Sequence, residues 1–96
     1  MIERDGQTLR LSGALTLAGI PKLAEEGKSQ IADGDVIDLS AVTEVDSTAL
    51  SLIFEWQRSA QSRGVHIAFK NLPASLISLA MLYGVSDMIK ESAVAA

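Results

Sequence analysis

One stretch of the chain, residues 36–50, constrains the fold more than any other. It opens with Val36–Leu39, a short, mainly apolar and β-branched run that is typical of an inner strand of a sheet. A short loop then brings Asp46, Ser47 and Thr48 to the start of a strongly patterned helix. Because the first N–H groups of a helix lack partners within it, a hydroxyl there is either an ordinary cap or a group presented to another protein.

The rest of the sequence predicts the element order ββαβαβα within a single domain, residues 1–96. An Asp5-Gly6 turn joins the first two strands, and Thr16 is the predicted cap of the first helix. The predicted strands are 2–3, 8–12, 36–39 and 65–69, and the predicted helices are 17–31, 48–62 and 71–83. Strands joined through helices favour parallel pairing, so we expect an α/β fold with a mixed sheet of four or five strands and helices mostly on one face. Residues 86–96 are expected to form a short terminal element with a frayed end.

The amino-acid composition excludes or disfavours several classes of function. The net charge is −4 and the eight basic residues are scattered, which disfavours nucleic-acid binding and direct anchoring to anionic lipid. No cysteine is present, which excludes disulfides and thiolate metal sites, and no apolar run approaches the length of a membrane span. We therefore expect a cytoplasmic protein without direct membrane insertion. A hydrophobic content of 48% leaves room for an exposed apolar contact patch.

Enzymatic functions find little support in the sequence. The one histidine, His66, is expected to be a surface or edge residue, and no nucleophile elbow or phosphate-binding glycine loop is present. Four carboxylates that are close in sequence are interpreted as a solvated acidic rim: Asp33, Asp35, Asp38 and Glu44. We accordingly predict no metal site and no cofactor.

The second helix has two apolar faces. The predicted core face carries Leu50, Ile53, Phe54, Gln57 and Ala60. A second face, roughly 100–150° away at helical periodicity, carries Thr48, Leu52, Trp56 and Arg63. That second face is either a docking surface, since Trp and Arg are enriched in binding hot spots, or a wide buried arc wedged between the sheet and a neighbouring helix.

The helix start has its own alternatives. Ser47 or Thr48 can serve as the N-cap, or Asp46 can be the cap, with Ser47 in the first turn. Ordinary capping is the favoured interpretation from the local residues, although three candidate caps in a row exceed what capping requires and weaken that interpretation slightly.

The motif resembles the signature of the STAS domain family, which includes domains of sulfate transporters and anti-sigma-factor antagonists. In that family a hydrophobic-Asp-Leu-Ser strand leads to Asp-Ser-Ser/Thr-Gly/Ala-Leu at a helix start, and here the corresponding residues run from Ile37 to Leu50. The predicted element order is similar over nearly the whole chain. Ala49 replaces the family's frequent glycine.

Two branches of the family are compatible with the motif. Anti-sigma-factor antagonists bind an anti-sigma factor that is also a kinase, and phosphorylation of the residue after the motif aspartate switches them off; that residue is Ser47 here. The MlaB branch is the STAS subunit of Mla-type phospholipid ABC transporters and binds their ATPase subunit. The residues of the second helix and the run Leu79–Val85 at the end of the third are more similar to MlaB.

The resemblance therefore implies a non-enzymatic adaptor that binds the cytoplasmic ATPase subunit of such a transporter, with the permease in the full complex. This adaptor would support the transporter's assembly or activity in outer-membrane lipid asymmetry and lie at the inner membrane through its partner. The implied partner-binding residues are Asp46, Ser47, Thr48, Ala49, Leu52 and Trp56. The alternative is an anti-sigma-factor antagonist regulated by phosphorylation at Ser47.

Overall fold

A four-stranded mixed sheet carries three helices in the computed structural model, which describes residues 2–85. The strands are β1 (Ile2–Asp5), β2 (Thr8–Leu15), β3 (Asp35–Val45) and β4 (Ile67–Lys70). The helices are α1 (Ile20–Gln30), α2 (Thr48–Arg63) and α3 (Ala74–Leu82). Spatial order follows chain order, with β1 antiparallel to β2 and the other pairs parallel. The predicted fold class and element order are confirmed, and the predicted terminal element at 86–96 lies outside the described residues.

One face of the sheet packs against the helices. Alternate residues of β2, β3 and β4 are buried in a single core with the apolar sides of the helices, and these strand residues are Leu9, Leu11, Ile37, Leu39 and Phe69. The opposite face carries a row of alternating charge at one level of the sheet, formed by Glu3, Arg10, Asp38 and Lys70. Opposite charges on directly paired residues favour this strand register. Within residues 2–85, no helix is both long and apolar enough to cross a membrane.

The central strands are longer than predicted. Gly13 was expected to end β2, and β3 was expected to stop at Leu39, but both continue to Leu15 and Val45. Gly13 adopts a positive φ of 85° beside an irregularity in the pairing, so the strand bulges there and resumes. The predicted loop before Asp46 is therefore mostly strand.

Helix α1 begins later than predicted. Thr16 is not its cap. The cap position is Gly19, which has no side chain that could cap the helix. The helix starts at Ile20, with Pro21 in its first turn. Proline favours the first turn because its missing N–H has no partner there anyway. Leu17, the first residue of the predicted helix, lies before the observed one and is 68% exposed.

The prediction of a solvated acidic rim is wrong for two of its four carboxylates. Asp35 and Asp38 are 2% and 4% exposed. Arg4 donates to both carboxylate oxygens of Asp35, at 3.1 and 2.8 Å, and Asn71 donates to Asp38 at 3.0 Å. These carboxylates are buried because each has hydrogen-bond partners. Among the described residues, no cluster of carboxylates and histidines is arranged to hold a metal.

Asp35 makes the stability of the domain depend on pH. Burial acts to raise its pKa, but the Arg4 guanidinium and the Ala32 N–H outweigh burial and hold the pKa below its usual value. Because the folded-state pKa is depressed, this stabilisation is present above the unfolded value of about 3.9 and is lost as the pH falls through the folded value.

We therefore expect Asp35→Asn to lower the free energy of unfolding at pH 7 and to lessen its decline below about pH 4. Urea denaturation of both proteins over a pH series measures this. Profiles that stay parallel down to the acid limit would contradict it.

Candidate functional site

The start of α2 places the motif residues at the end of a central strand. Helix α2 begins at Thr48, shortly after the carboxyl end of β3, and ends at Arg63, with Gly64 as its C-cap. Gly64 has a left-handed φ of 71°, and its N–H bonds back to the last turn of the helix. The predicted bounds of this helix are thus confirmed to within one residue.

Asp46 is the residue that caps α2. Its Oδ1 accepts the Thr48 N–H at 2.9 Å and the Thr48 hydroxyl, and its Oδ2 accepts the Leu17 N–H at 3.1 Å. One carboxylate thus joins the loop after β2 to the first turn of α2. The hydroxyl of Thr48 is the main cause that holds the pKa of Asp46 below its usual value; burial opposes it, and the Thr48 and Leu17 N–H groups add to it. Asp46 is therefore ionised at neutral pH.

Ser47 is left without a capping role. Its backbone is already helical, with φ −63° and ψ −19°, and its side chain makes no cap hydrogen bond. The residue is exposed, whereas Thr48 beside it is half-buried and donates its hydroxyl to Asp46. Of the alternatives that the sequence left open, the structure selects Asp46 as the cap. The Ser47 hydroxyl is available at the surface.

The second apolar face of α2 is not a surface. Leu52 and Trp56 are each 1% exposed, and Ala49 is fully buried. The indole of Trp56 lies against α1, where its Nε1–H donates to the carbonyl oxygen of Ala24 at 3.2 Å. The prediction that Ala49, Leu52 and Trp56 are open to a partner is wrong, because α1 covers the side of α2 that the sheet leaves free.

A groove lies beside Ser47 on the helix side of the molecule. Its volume is about 310 Å³, and it runs between the first two turns of α2 and the end of α3. Its lining residues are Ser47, Leu50, Ser51, Phe54, Tyr83 and Val85. Sequence reasoning missed this groove because helical periodicity places Tyr83 on one stripe with Leu76 and Ala80, whereas those two residues are buried and Tyr83 is 58% exposed.

The far end of α2 carries no motif residue. A second depression there, of about 350 Å³, is lined in part by Gly64 and His66. The His66 side chain is 93% exposed, as expected of a surface residue, and its ring nitrogen lies 3.1 Å from Asp33. The backbone N–H of His66 donates to Asp33 and is the main cause that lowers the pKa of that carboxyl. The exposed His66 side chain therefore does not lie in an enclosed site of the kind that favours catalysis.

Comparison with known proteins places this geometry in a family. The family profile described as "Mlab, STAS domain" matches residues 1–90. No curated protein matches the sequence significantly. Among solved structures, the anti-sigma factor antagonist SpoIIAA in its unphosphorylated form has a TM-score of 0.66 at 12% identity, covering 85% of this chain and 81% of that chain.

Two further solved structures have the same fold. A sulfate transporter family protein from Wolinella succinogenes gives a TM-score of 0.62 at 15% identity, covering 85% of this chain and 69% of that one. The structure titled "Crystal Structure Analysis of Mglu" gives 0.59 at 24% identity over 77% of this chain, and the match spans only 20% of that longer chain. The similarity to all three concerns the fold. With a family profile matched over residues 1–90, the chain belongs to the STAS domain family.

Proposed function

We propose that this protein is a non-enzymatic STAS adaptor of an Mla-type phospholipid ABC transporter, bound to the cytoplasmic ATPase subunit through the start of α2. The observation that carries the proposal is the exposed Ser47 hydroxyl, which the fold does not use because Asp46 caps the helix. A rigid helix start held on a sheet presents such a group at low entropic cost to a partner. The docking residues are Asp46, Ser47 and Thr48, without the buried Ala49, Leu52 and Trp56.

Two features favour the transporter over other roles. The matching family profile is described by the MlaB name, and the run Leu79–Val85 follows the pattern of that branch. In this role the protein lies in the cytoplasm at the inner membrane, held there by the ATPase and its permease, and supports outer-membrane lipid asymmetry.

Copurification of the full chain from native membranes tests the assignment. We expect an ATPase subunit and its permease to be recovered together. Recovery of only a soluble kinase-like protein would overturn the proposal.

The substitution Ser47→Asp is expected to weaken binding of the copurified ATPase by about tenfold or more, since the added carboxylate loses its hydration on docking and lies beside the like charge of Asp46. The stability of the free domain should change by less than about 0.5 kcal/mol, because the side chain is exposed and an acidic group near a helix start is tolerated. Titration calorimetry measures the affinity, and thermal unfolding measures the stability.

The matched control is Ser62→Asp, an exposed serine in the last turn of the same helix. The two positions are separated by 15 residues, which is about 22 Å along a helix. Equal affinities for both variants would remove Ser47 from the interface.

An anti-sigma-factor antagonist is the second candidate function. The exposure of Ser47 and the fold similarity to SpoIIAA favour it. In this role an anti-sigma factor kinase would phosphorylate Ser47, adding a charge of roughly −1.5 to −2 to the docking surface. Incubation with ATP and candidate kinases, followed by mass spectrometry of the peptide containing Ser47, distinguishes the two functions.

A further inference from the structure

Helix α3 exposes much more apolar surface than the rest of the domain. Five large hydrophobic side chains are exposed among the described residues, and four of them lie between positions 77 and 83: Ile77, Met81, Leu82 and Tyr83. Only Leu76 and Ala80 of this helix are fully buried against the core. A concentrated exposed apolar surface of this kind marks an interaction site more often than scattered single residues do.

This apolar surface is continuous with the start of α2. Tyr83 is one wall of the groove beside Ser47, and Leu50 and Phe54 contribute its apolar lining. Leu50 is 5% exposed and Phe54 is half-buried, so their side chains are held in place by the core. Ser51, one turn after Ser47, is exposed on the α2 side of the groove. The groove thus combines fixed apolar walls with two free hydroxyl positions.

The chain segment that contains the start of α2 is acidic. Residues 40–57 contain three carboxylates, Glu44, Asp46 and Glu55, and no lysine or arginine. Glu55 is neutralised by Lys28, whose Nζ lies 2.8 Å from its carboxylate. Within residues 2–85, neither Glu44 nor Asp46 has a salt-bridge partner. The segment leading into α2 therefore carries two negative charges without an ion pair among residues 2–85, of which Asp46 is held by hydrogen bonds alone.

We propose that this groove receives an apolar side chain of the partner ATPase, carried on a segment with a lysine or arginine beside it. This inference rests on the proposed function and names the chemistry of the partner at that same surface. An apolar anchor fills the space between the two helices, and the adjacent cation complements the negative charge of Glu44 and Asp46.

Charge disfavours two other occupants of the groove, a second copy of this chain and residues 86–96 of the chain itself. A second copy of this chain would bring the same acidic surface to a protein whose net charge is already −4. Residues 86–96 of the chain itself contain two carboxylates and a single lysine, so they do not complement the carboxylates either. A basic and apolar segment of a different protein matches both properties of the groove.

Filling the groove tests the proposal. Ser51→Trp places a large ring in it without touching the motif, and Ser62→Trp makes the same change at the far end of α2. With the full-length proteins and the copurified ATPase, we expect Ser51→Trp to weaken binding by about tenfold or more and Ser62→Trp to change it by less than about twofold. Tyr83→Ala, a truncation of an exposed side chain on the opposite wall, should also weaken binding.

A separate measurement tests whether the partner needs a basic residue. Glu44→Gln should slow association with the ATPase and reduce its salt dependence, because Glu44 is an exposed charge three residues before Ser47 and such a charge acts mainly on encounter. Glu25→Gln, an equivalent change at an exposed position on α1, serves as the control. Equal salt dependence for both variants would overturn the requirement for a basic partner residue.

Failure of this inference is distinguishable from failure of the proposed function. If Ser47→Asp loses binding while Ser51→Trp and Tyr83→Ala keep it, the adaptor role stands and the groove is not the anchor site. If Ser51→Trp keeps binding but lowers the melting temperature well below that of Ser62→Trp, residues 86–96 occupy the groove. A dimer in sedimentation of the free protein that Ser51→Trp abolishes would assign it to a second copy. Either outcome overturns the proposal.

Discussion

Replacement of Trp56 by alanine is expected to lower the free energy of unfolding by about 3–5 kcal/mol, the usual cost of removing a fully buried aromatic side chain. The ring is 1% exposed and lies between α1 and α2. Its removal leaves a cavity, and the carbonyl oxygen of Ala24 loses its donor. Small domains are stable by only about 5–15 kcal/mol, so the loss is a large share of the total.

Urea denaturation followed by circular dichroism measures this effect, since the chain has a single tryptophan and the variant has none. Leu82→Ala is the control, because Leu82 is 77% exposed and its truncation should cost less than about 0.5 kcal/mol. A cost below about 1 kcal/mol for Trp56→Ala would be incompatible with a buried ring. Such a result would restore Trp56 as a candidate for partner binding.

The second large effect is expected from Gly27→Ala. In an ordinary exposed helix position this change stabilises by about 0.5–1 kcal/mol, because alanine is the better helix former. Here a methyl group on Gly27 would overlap the indole of Trp56, with Nε1 only 2.6 Å away and other ring atoms closer. The ring is held by its bond to Ala24, so we expect a net destabilisation of about 1–3 kcal/mol.

A double-mutant cycle separates this steric cause from a general effect on α1. In a Trp56→Leu background the overlap disappears, so Gly27→Ala should become neutral or stabilising there. The coupling between the two positions should then be at least about 1 kcal/mol, as for residues in direct contact. Additive effects would show that the glycine is required for a reason other than the indole.

The sequence was sufficient to predict the fold class and the position of the motif. Gly64 and the run from Thr48 onward fixed α2, because a strong helical pattern ended at a glycine able to adopt positive φ. The short, apolar and β-branched run Val36–Leu39 correctly indicated an inner strand. Local signals of this kind depend on few distant contacts and are therefore readable from sequence.

The misplaced surface has a physical explanation. Periodicity gives the angle of Leu52 and Trp56 around α2, but not which neighbour covers that angle. The signal that pointed to burial lay in another helix: Gly27, an isolated glycine within the pattern of α1, which leaves room for a large side chain. Pairing the glycine of one helix with the tryptophan of another requires the tertiary arrangement.

The buried carboxylates were unpredictable for the same reason. Arg4 and Asp35 are separated by 31 residues, and only the antiparallel placement of β1 beside β2 brings them together. The extension of β3 likewise depended on its pairing with the end of β2. In each case a distant partner decided the outcome.

The separate roles of Asp46, which caps the helix, and Ser47, which is exposed, have a consequence for how this domain can be regulated. Because the carboxylate of one residue secures the helix, the identity of its neighbour is decoupled from folding. If a partner docks at the start of α2 as proposed, a change at position 47, by mutation or by modification, alters the surface that the partner contacts while the domain keeps its shape. Such a change would act on the binding of that partner and leave the stability of the domain as it is.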